Sequence, residues 1–538
     1  MWNVGAGTPV LAALLLLPAL LAGQDPQGTT LASQQRAAEV IRQSVAAHGG
    51  AAAIRDLRGM SFVWEGHTFP RTQGRVAAQA ATEEAESLPA RGEYRIDLVR
   101  SRVHTVFDGN PPGRIQTRVT LVANGREFFS YDQRGFFGGT AMTLDSAGVA
   151  AEQRRLSTHE EMPILLLRLA FAASPTLRYL GRESVAERTY EVITFATVQG
   201  RQISLHIDAE TGLLARREVL GEDAIFADAV SAFEFDMYER VAEFVLPRRQ
   251  RSLLNGRLLA EYRLQAVEFD PQIPDSLFRH PVGYTVSASA APPRVVTFAE
   301  GVYFAEGLGG SYRSMFVDTD EGVVVLDAPV SAAATATAIE LIERTLPGRP
   351  IRYVVLTHHH ADHVAGLRSY VARGATVITA PGTEAYLQMM LNAPRSINRA
   401  DAENSAAPVL NLETVARQKT IGRGATSIRV INAGPTSHAE GMLVAYLPSH
   451  KLLFQGDFLR INAAGGPALG TGIARELDDF IRRRRLDVQH IGAVHGLNGT
   501  IEELRAAART HLGHCLLTPR RRSPCRRRGF PARSSRAR

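Results

Sequence analysis

From Met60 to about Gly283 the chain alternates apolar and polar residues in short runs, as in "SFVWEGHTF", "RGEYRIDLVR" and "RTYEVITFATV". A period of two turns one face of each run toward a core. Turn residues such as "DAETG" and "LNGR" end the runs, so antiparallel strands joined by hairpins are predicted. Ahead of them, "TLASQQRAAEVIRQSVAAHGG" has apolar residues at helical spacing up to Ala46, and Gly49-Gly50 ends the helix. One apolar helix, "EEMPILLLRLAFAA", interrupts the strands behind "STHE", where Ser157 and Glu160 have the spacing of a capping box. A curved, mostly antiparallel sheet wrapped on a helix is the simplest packing for this set of elements.

The texture changes after "SASAAPPRV" (287–295), whose small residues and prolines read as a linker. Beyond it, buried strands alternate with helices. "GVVVLDAP" precedes a helix through "AAATATAIELIERTL", "IRYVVLT" precedes "DHVAGLRSYVARG", and "ATVITA" precedes "GTEAYLQMML". This alternation means a layered α/β domain. The hairpin-like pairs "TSIRVINAG" and "GMLVAYLPSHKLLFQGDFL" make its sheets mixed.

Charge changes the picture less than its total suggests. The formal net charge is +7, yet nine arginines lie in the last nineteen residues, and without them 52 basic residues face 54 acidic ones, a difference of −2. A nearly neutral body lacks the electrostatic footprint of a nucleic-acid partner. Both cysteines, Cys515 and Cys525, lie in the tail 515–538, which has no apolar periodicity and is expected to be disordered. The preceding chain thus has no thiol ligand. At the other end, "VLAALLLLPALLAG" (10–23) is short for a membrane span and suits a signal-peptide core, so 1–23 is expected to be a leader and the mature chain periplasmic or secreted. Membrane contact is expected only through that leader, if it is left uncleaved.

The chemistry concentrates in "YVVLTHHHADHVAGL" (353–367). A buried strand ends near Thr357. His358 and His360, two apart, project to one side of the emerging chain, and Asp362 and His363 open the next helix. His359 points the other way and is left out of the ligand set. The carboxyl end of a buried strand is where α/β sheets place their sites.

This H-x-H-x-D-H arrangement resembles the hallmark of the metallo-β-lactamase superfamily of metal-dependent hydrolases. The resemblance extends over residues 294–512 and through four further motifs in order: Asp327 in "VVVLDAP", His438 in "GPTSHAEG", Asp457 in "LLFQGDF" and His495 in "GAVHG". It implies an αββα sandwich over 296–514. It also implies that His358, His360 and His438 hold one metal, that Asp362, His363 and His495 hold a second, and that Asp457 bridges them. Imidazole and carboxylate ligands without thiolate suit two Zn2+ ions, with iron or manganese as alternatives. Asp327 resembles the aspartate that orients a ligand histidine through its free ring nitrogen; a strand-end cap is the other reading. A hydroxide shared by two metals would then attack a small ester, thioester, lactone or amide, with Asp362 orienting it and handling its proton. Asp457 makes the site look more like glyoxalase II and lactonases than like the lactamases that use a cysteine ligand. A β-lactamase or a persulfide dioxygenase relative stays open. The loop "EGLGGSYRS" (306–314) would lie by the metals as the substrate loop does in relatives, where Tyr312 or Arg313 would touch substrate; a bland glycine-rich hairpin tip is the other reading.

Residues 24–286 resemble periplasmic lipoprotein-sorting and lipid-carrier domains, which fold as an antiparallel half-barrel around a helical plug. The leading helix ending in "HGG" and the hairpin "LHIDAETGLLARREV" carry that resemblance. It implies a lipid or other hydrophobic ligand, and an alternative function in which the chain is a lipid-binding or lipoprotein-binding protein with an accessory metal domain. A packed sheet that only positions the enzyme is the other reading.

Overall fold

The computed structural model describes residues 29–510 except 83–84, 114, 138, 288–291, 398–406 and 463–471. The expected leader, the arginine-rich tail and part of the 287–295 linker lie outside the described residues, and Arg294 and Val295 already belong to the strand Arg294–Ala299. No described helix is long and apolar enough to cross a membrane.

The first domain is built on one 14-stranded sheet. Its middle strand, Gly59–Thr68, pairs on one side with its sequence neighbour Leu88–Asp97 and on the other with the distant Arg257–Phe269. Each side then continues outward through antiparallel hairpins, and only the last pair, Thr285–Val286 on Ala141–Asp145, is parallel. The helices Thr29–Ala47 and Pro163–Ala172 lie against the apolar side of the sheet. Val40, Ile41, Ile164 and Leu166 share one core with Phe62, Trp64, Phe195 and Leu205. The helical segment differs from the sequence expectation. Ser157 is inside an earlier helix, Val149–Glu160, with its hydroxyl donating back to the Arg154 carbonyl, so it caps nothing. The apolar helix starts instead at Pro163, whose fixed φ and missing N–H suit a first helical position.

His48, at the end of the first helix, is fully buried against Tyr238, with Nδ1 2.9 Å from the Ser44 carbonyl oxygen. Burial lowers its pKa from 6.5 to about 4. The unfolded chain therefore binds the proton first as pH falls, and stability present above pH 6.5 is lost between about 6.5 and 4, at up to ~1.4 kcal/mol per pH unit. Thermal unfolding followed from pH 7 to 4.5 should show this loss, and His48→Gln should flatten the slope even if it lowers the starting stability. An equal slope in both proteins would assign the acid sensitivity elsewhere.

The second domain stacks two sheets. One has seven strands in the order Arg294–Ala299, Val302–Leu308, Tyr312–Thr319, Gly322–Leu326, Ile351–Val355, Thr376–Thr379, Leu412–Thr414, antiparallel at first and parallel from Gly322–Leu326 onward. The other has six strands, running from Gln418–Ile421 to Gly499–Thr500. The central strands Gly322–Leu326 and Met442–Leu447 are apolar throughout because both of their faces are covered. In Gly322–Leu326, Val324 and Leu326 join the core between the sheets, while Val323 and Val325 join the core under the helices Ala332–Thr345, Leu367–Val371 and Glu384–Asn392. In Met442–Leu447, Leu443, Ala445 and Leu447 face the first sheet, and Met442, Val444 and Tyr446 face the helices Gly472–Arg484 and Ile501–Thr510. The layers thus run helix, sheet, sheet, helix.

The helix expected through "DHVAGLRSYVARG" is two short ones, Ala361–Val364 and Leu367–Val371. Gly366 lies between them because the chain there passes close to the preceding helix: a Cβ on it would lie 1.7 Å from Thr335 Oγ1 and 2.8 Å from the Ser331 carbonyl oxygen. The two domains share a core as well, since Ala77, Ala80, Ile225 and Phe226 of the first pack with the helix layer of the second.

Candidate metal centre

The site forms where the parallel strands end. Leu326 is followed by Asp327 and Val355 by the segment 356–360, two neighbouring strand ends at which backbone groups leave the ladder and side chains replace them. Asp327 is fully buried at φ 62°, a left-handed conformation that aspartate tolerates better than most residues. Its Oδ1 accepts from the Thr357 N–H at 2.6 Å, and its Oδ2 accepts from the Thr357 hydroxyl at 2.6 Å and faces His363 Nδ1 at 2.8 Å. Asp327 therefore both caps the strand end and orients a histidine, combining the two roles that sequence leaves as alternatives.

The structure brings all seven expected ligands together. His358, His360, His438 and Asp457 form one group and Asp362, His363 and His495 another, the donor atoms of each lying within 4.8 Å of one another. Asp457 stands between them. Its Oδ2 is 3.0 Å from His438 Nε2 and 3.7 Å from His358 Nε2, and its Oδ1 is 3.0 Å from both His363 Nε2 and His495 Nε2. Asp362 Oδ2 approaches His495 Nε2 at 3.3 Å.

The donor chemistry fits cations. His360 Nε2 faces the Gly74 carbonyl oxygen at 2.9 Å, and His438 Nδ1 faces the Pro112 carbonyl oxygen at 3.1 Å. A carbonyl can only accept, so the hydrogen of each ring is placed there and the other nitrogen keeps a lone pair. His363 and His495 each point Nε2 at Asp457 Oδ1, whose charge draws their pKa values up against burial. The freed nitrogens turn inward, with His438 Nε2 3.2 Å from His358 Nε2 and His360 Nδ1 buried with no hydrogen-bond partner among the described residues. Lone pairs so placed repel unless a positive charge lies among them. Burial, and then neighbouring histidines, hold His358 and His360 well below the usual imidazole range, which keeps them in the neutral form that binds metal. For Asp457 burial opposes ionisation, but His363 and His495 outweigh it and hold the carboxyl well below its usual range.

His359 is outside this cluster, as expected, and packs edge-on against Tyr386 with ring centroids 5.7 Å apart. Tyr312 lies at the site mouth, its ring 4.9 Å from that of His495 and its hydroxyl 3.4 Å from Asp362 Oδ2. Burial and the adjacent carboxylates of Asp362 and Asp457 push its phenol pKa up, so it remains a donor. Arg313 is turned away, paired with Glu306 at 3.1 Å and with Asn498 at 3.2 Å, and of the two loop residues only Tyr312 lines the cavity. Sequence reading misses Arg460, which reaches the same cavity of about 310 Å³ three residues after Asp457.

It misses the first domain's contributions too. Gln73 Nε2 donates to Asp362 Oδ1 at 2.8 Å, and Pro111, Ile115, Phe136 and Phe137 line the cavity beside the metal ligands. No motif marks Gln73, and carbonyl contacts from Gly74 and Pro112 leave no trace in residue type.

Residues 308–489 match the sequence model of the Metallo-beta-lactamase superfamily. A metallo-beta-lactamase type 2 of Bacillus sp. (strain 170) is 24% identical over 197 residues, 37% of this chain and 69% of the relative, and one of Bacillus cereus is 23% identical over the same length. The solved metallo-beta-lactamase from Pontibacter korlensis overlays 41% of this chain and 100% of its own at 22% identity and a TM-score of 0.32. The C-terminal half of this chain thus carries a metallo-β-lactamase superfamily domain over residues 308–489.

Proposed function

We propose that this protein is an exported hydrolase that uses two metal ions, zinc in the first instance, to cleave a small ester, thioester, lactone or amide. The observation that carries this reading is the placement of Asp457, with one carboxylate oxygen toward each group of ligands. Bound by these residues, a pair of cations would supply Lewis acidity and acidify a water molecule. The chain's own residues do the rest. Asp327 holds His363 in the tautomer that leaves Nε2 free. Asp362 lines the cavity and would take the proton of the attacking water, while the Tyr312 phenol would donate to a substrate oxygen. The apolar leader supports export. Hydrolysis of a β-lactam amide is a second reading, favoured by the names of the relatives over 308–489.

Metal analysis of the purified protein, combined with turnover of p-nitrophenyl acetate and a chromogenic cephalosporin, tests both readings. Two zinc ions per chain are expected, with ester turnover that a chelator abolishes and added zinc restores. A chain that retains no metal and shows no chelator-sensitive turnover would defeat the hydrolase reading. Turnover of the cephalosporin alone would select the second.

A further inference from the structure

The first domain reaches the metal centre through two loops. Residues 72–75 and 110–113 are pinned to the second domain by backbone hydrogen bonds: Ala361 N–H to the Thr72 carbonyl at 3.0 Å, Glu440 N–H to Arg75 at 2.9 Å, and Gly113 N–H to Ser437 at 2.9 Å. Each pin flanks a ligand, since Ala361 lies between His360 and Asp362, and Ser437 and Glu440 lie close to His438. The same loops supply the hydrogen-bond partners of three ligands, Gly74 to His360, Pro112 to His438 and Gln73 to Asp362. Gly113 is suited to this approach, because its φ of +103° favours glycine and a Cβ there would lie 3.3 Å from His438 Nδ1. Such outer partners fix ring orientation and tautomer, and their loss typically weakens metal binding 10–100-fold.

The cavity wall comes from the same domain. Ile115, Phe136 and Phe137 line the same cavity as Asp362, Asp457 and His495, so the first domain adds apolar side chains beside the charged groups of the second. The two phenyl rings meet edge-on at 4.9 Å, and Phe137 is 48% exposed although it lies beside the site. Phe137 thus leaves about half of an aromatic surface open beside the site.

We propose that the first domain is a working part of the metal centre. Gln73 is a positioning residue for Asp362, and Phe136 with Phe137 selects substrates that carry an apolar group next to the bond being cleaved, such as esters of medium-chain acids. This rests on the hydrolase reading and deepens it by naming the substrate class.

The test uses the full-length zinc-loaded protein. Zinc affinity is measured by competition with a chromogenic chelator, the ligand field by the visible spectrum of the cobalt-substituted form, and selectivity by the ratio of kcat/KM for p-nitrophenyl octanoate to that for p-nitrophenyl acetate. Gln73→Ala, an exposed position whose change should leave folding intact, is expected to weaken the second zinc roughly 10–100-fold and to alter the cobalt spectrum. The double variant Phe136→Ser/Phe137→Ser should retain two zinc ions while its octanoate preference falls at least about tenfold. Phe171→Ser, which removes an exposed phenyl outside the cavity, should change neither. Wild-type zinc affinity and spectrum in Gln73→Ala would overturn the positioning role, and an unchanged chain-length ratio in the double variant would overturn the selecting role. A wild-type chain without zinc or turnover would instead overturn the hydrolase reading, and this proposal with it.

Discussion

Replacing Asp457 with alanine is expected to reduce bound zinc from two ions per chain toward one and to lower kcat/KM for an ester substrate about a thousandfold. The reason is its position: one side chain offers an oxygen to each group, within 3.0 Å of His438 Nε2 on one side and of His363 and His495 Nε2 on the other. Without it, the groups are left as three donors each and nothing joins them. A metal's contribution of several kcal/mol, at 1.36 kcal/mol per tenfold, corresponds to that loss. Asp457→Asn keeps the shape and removes the charge, so a smaller effect there would separate the two. Unchanged zinc stoichiometry in Asp457→Ala would contradict a bridging position.

Asp327 should matter nearly as much without touching a metal. Asp327→Ala leaves the Thr357 N–H, the Thr357 hydroxyl and His363 Nδ1 without their buried acceptor, and a loss of about 3 kcal/mol or more in unfolding free energy is expected. Asp327→Asn should behave differently. Asparagine tolerates the left-handed φ, and its carbonyl can still accept from Thr357 N–H, but its amide would present N–H to His363 Nδ1. The ring must then carry its hydrogen on Nε2, the nitrogen that faces the centre. Stability should recover in part while zinc affinity falls 10–100-fold. Denaturant unfolding and chelator competition on both variants check this, and equal zinc affinity in wild type and Asp327→Asn would rule the orienting role out.

The centre is legible in sequence because metal binding admits few side chains and places them at strand ends, where His358, His360, Asp362 and His363 fall within six residues. The apolar central strands Gly322–Leu326 and Met442–Leu447 are legible too, because their two covered faces leave no place for a charged side chain. Legibility ends where structure depends on who packs against whom. The break at Gly366 comes from Thr335 and Ser331 on another element, and a single glycine inside a helical pattern does not announce it. Ser157 and Glu160 have the right spacing for a cap, yet the proline at 163 decides where the helix begins. Tyr312 and Arg313 are equivalent in a loop sequence, but they open a strand whose successive residues face opposite sides, and Glu306 and Asn498 hold the arginine away. Gly74 and Pro112 act through carbonyl oxygens that every residue has.

The central strand of the large sheet has one further consequence. Gly59–Thr68 finds one neighbour almost at once, in Leu88–Asp97, and the other only when Arg257–Phe269 exists, about 160 residues later. During synthesis at roughly 5–20 residues per second, its free edge would wait on the order of 10–30 s for that partner. Through that interval the nascent chain carries an unpaired edge beside Phe62 and Trp64, a site open to wrong pairing before any residue of the 308–489 domain has been translated.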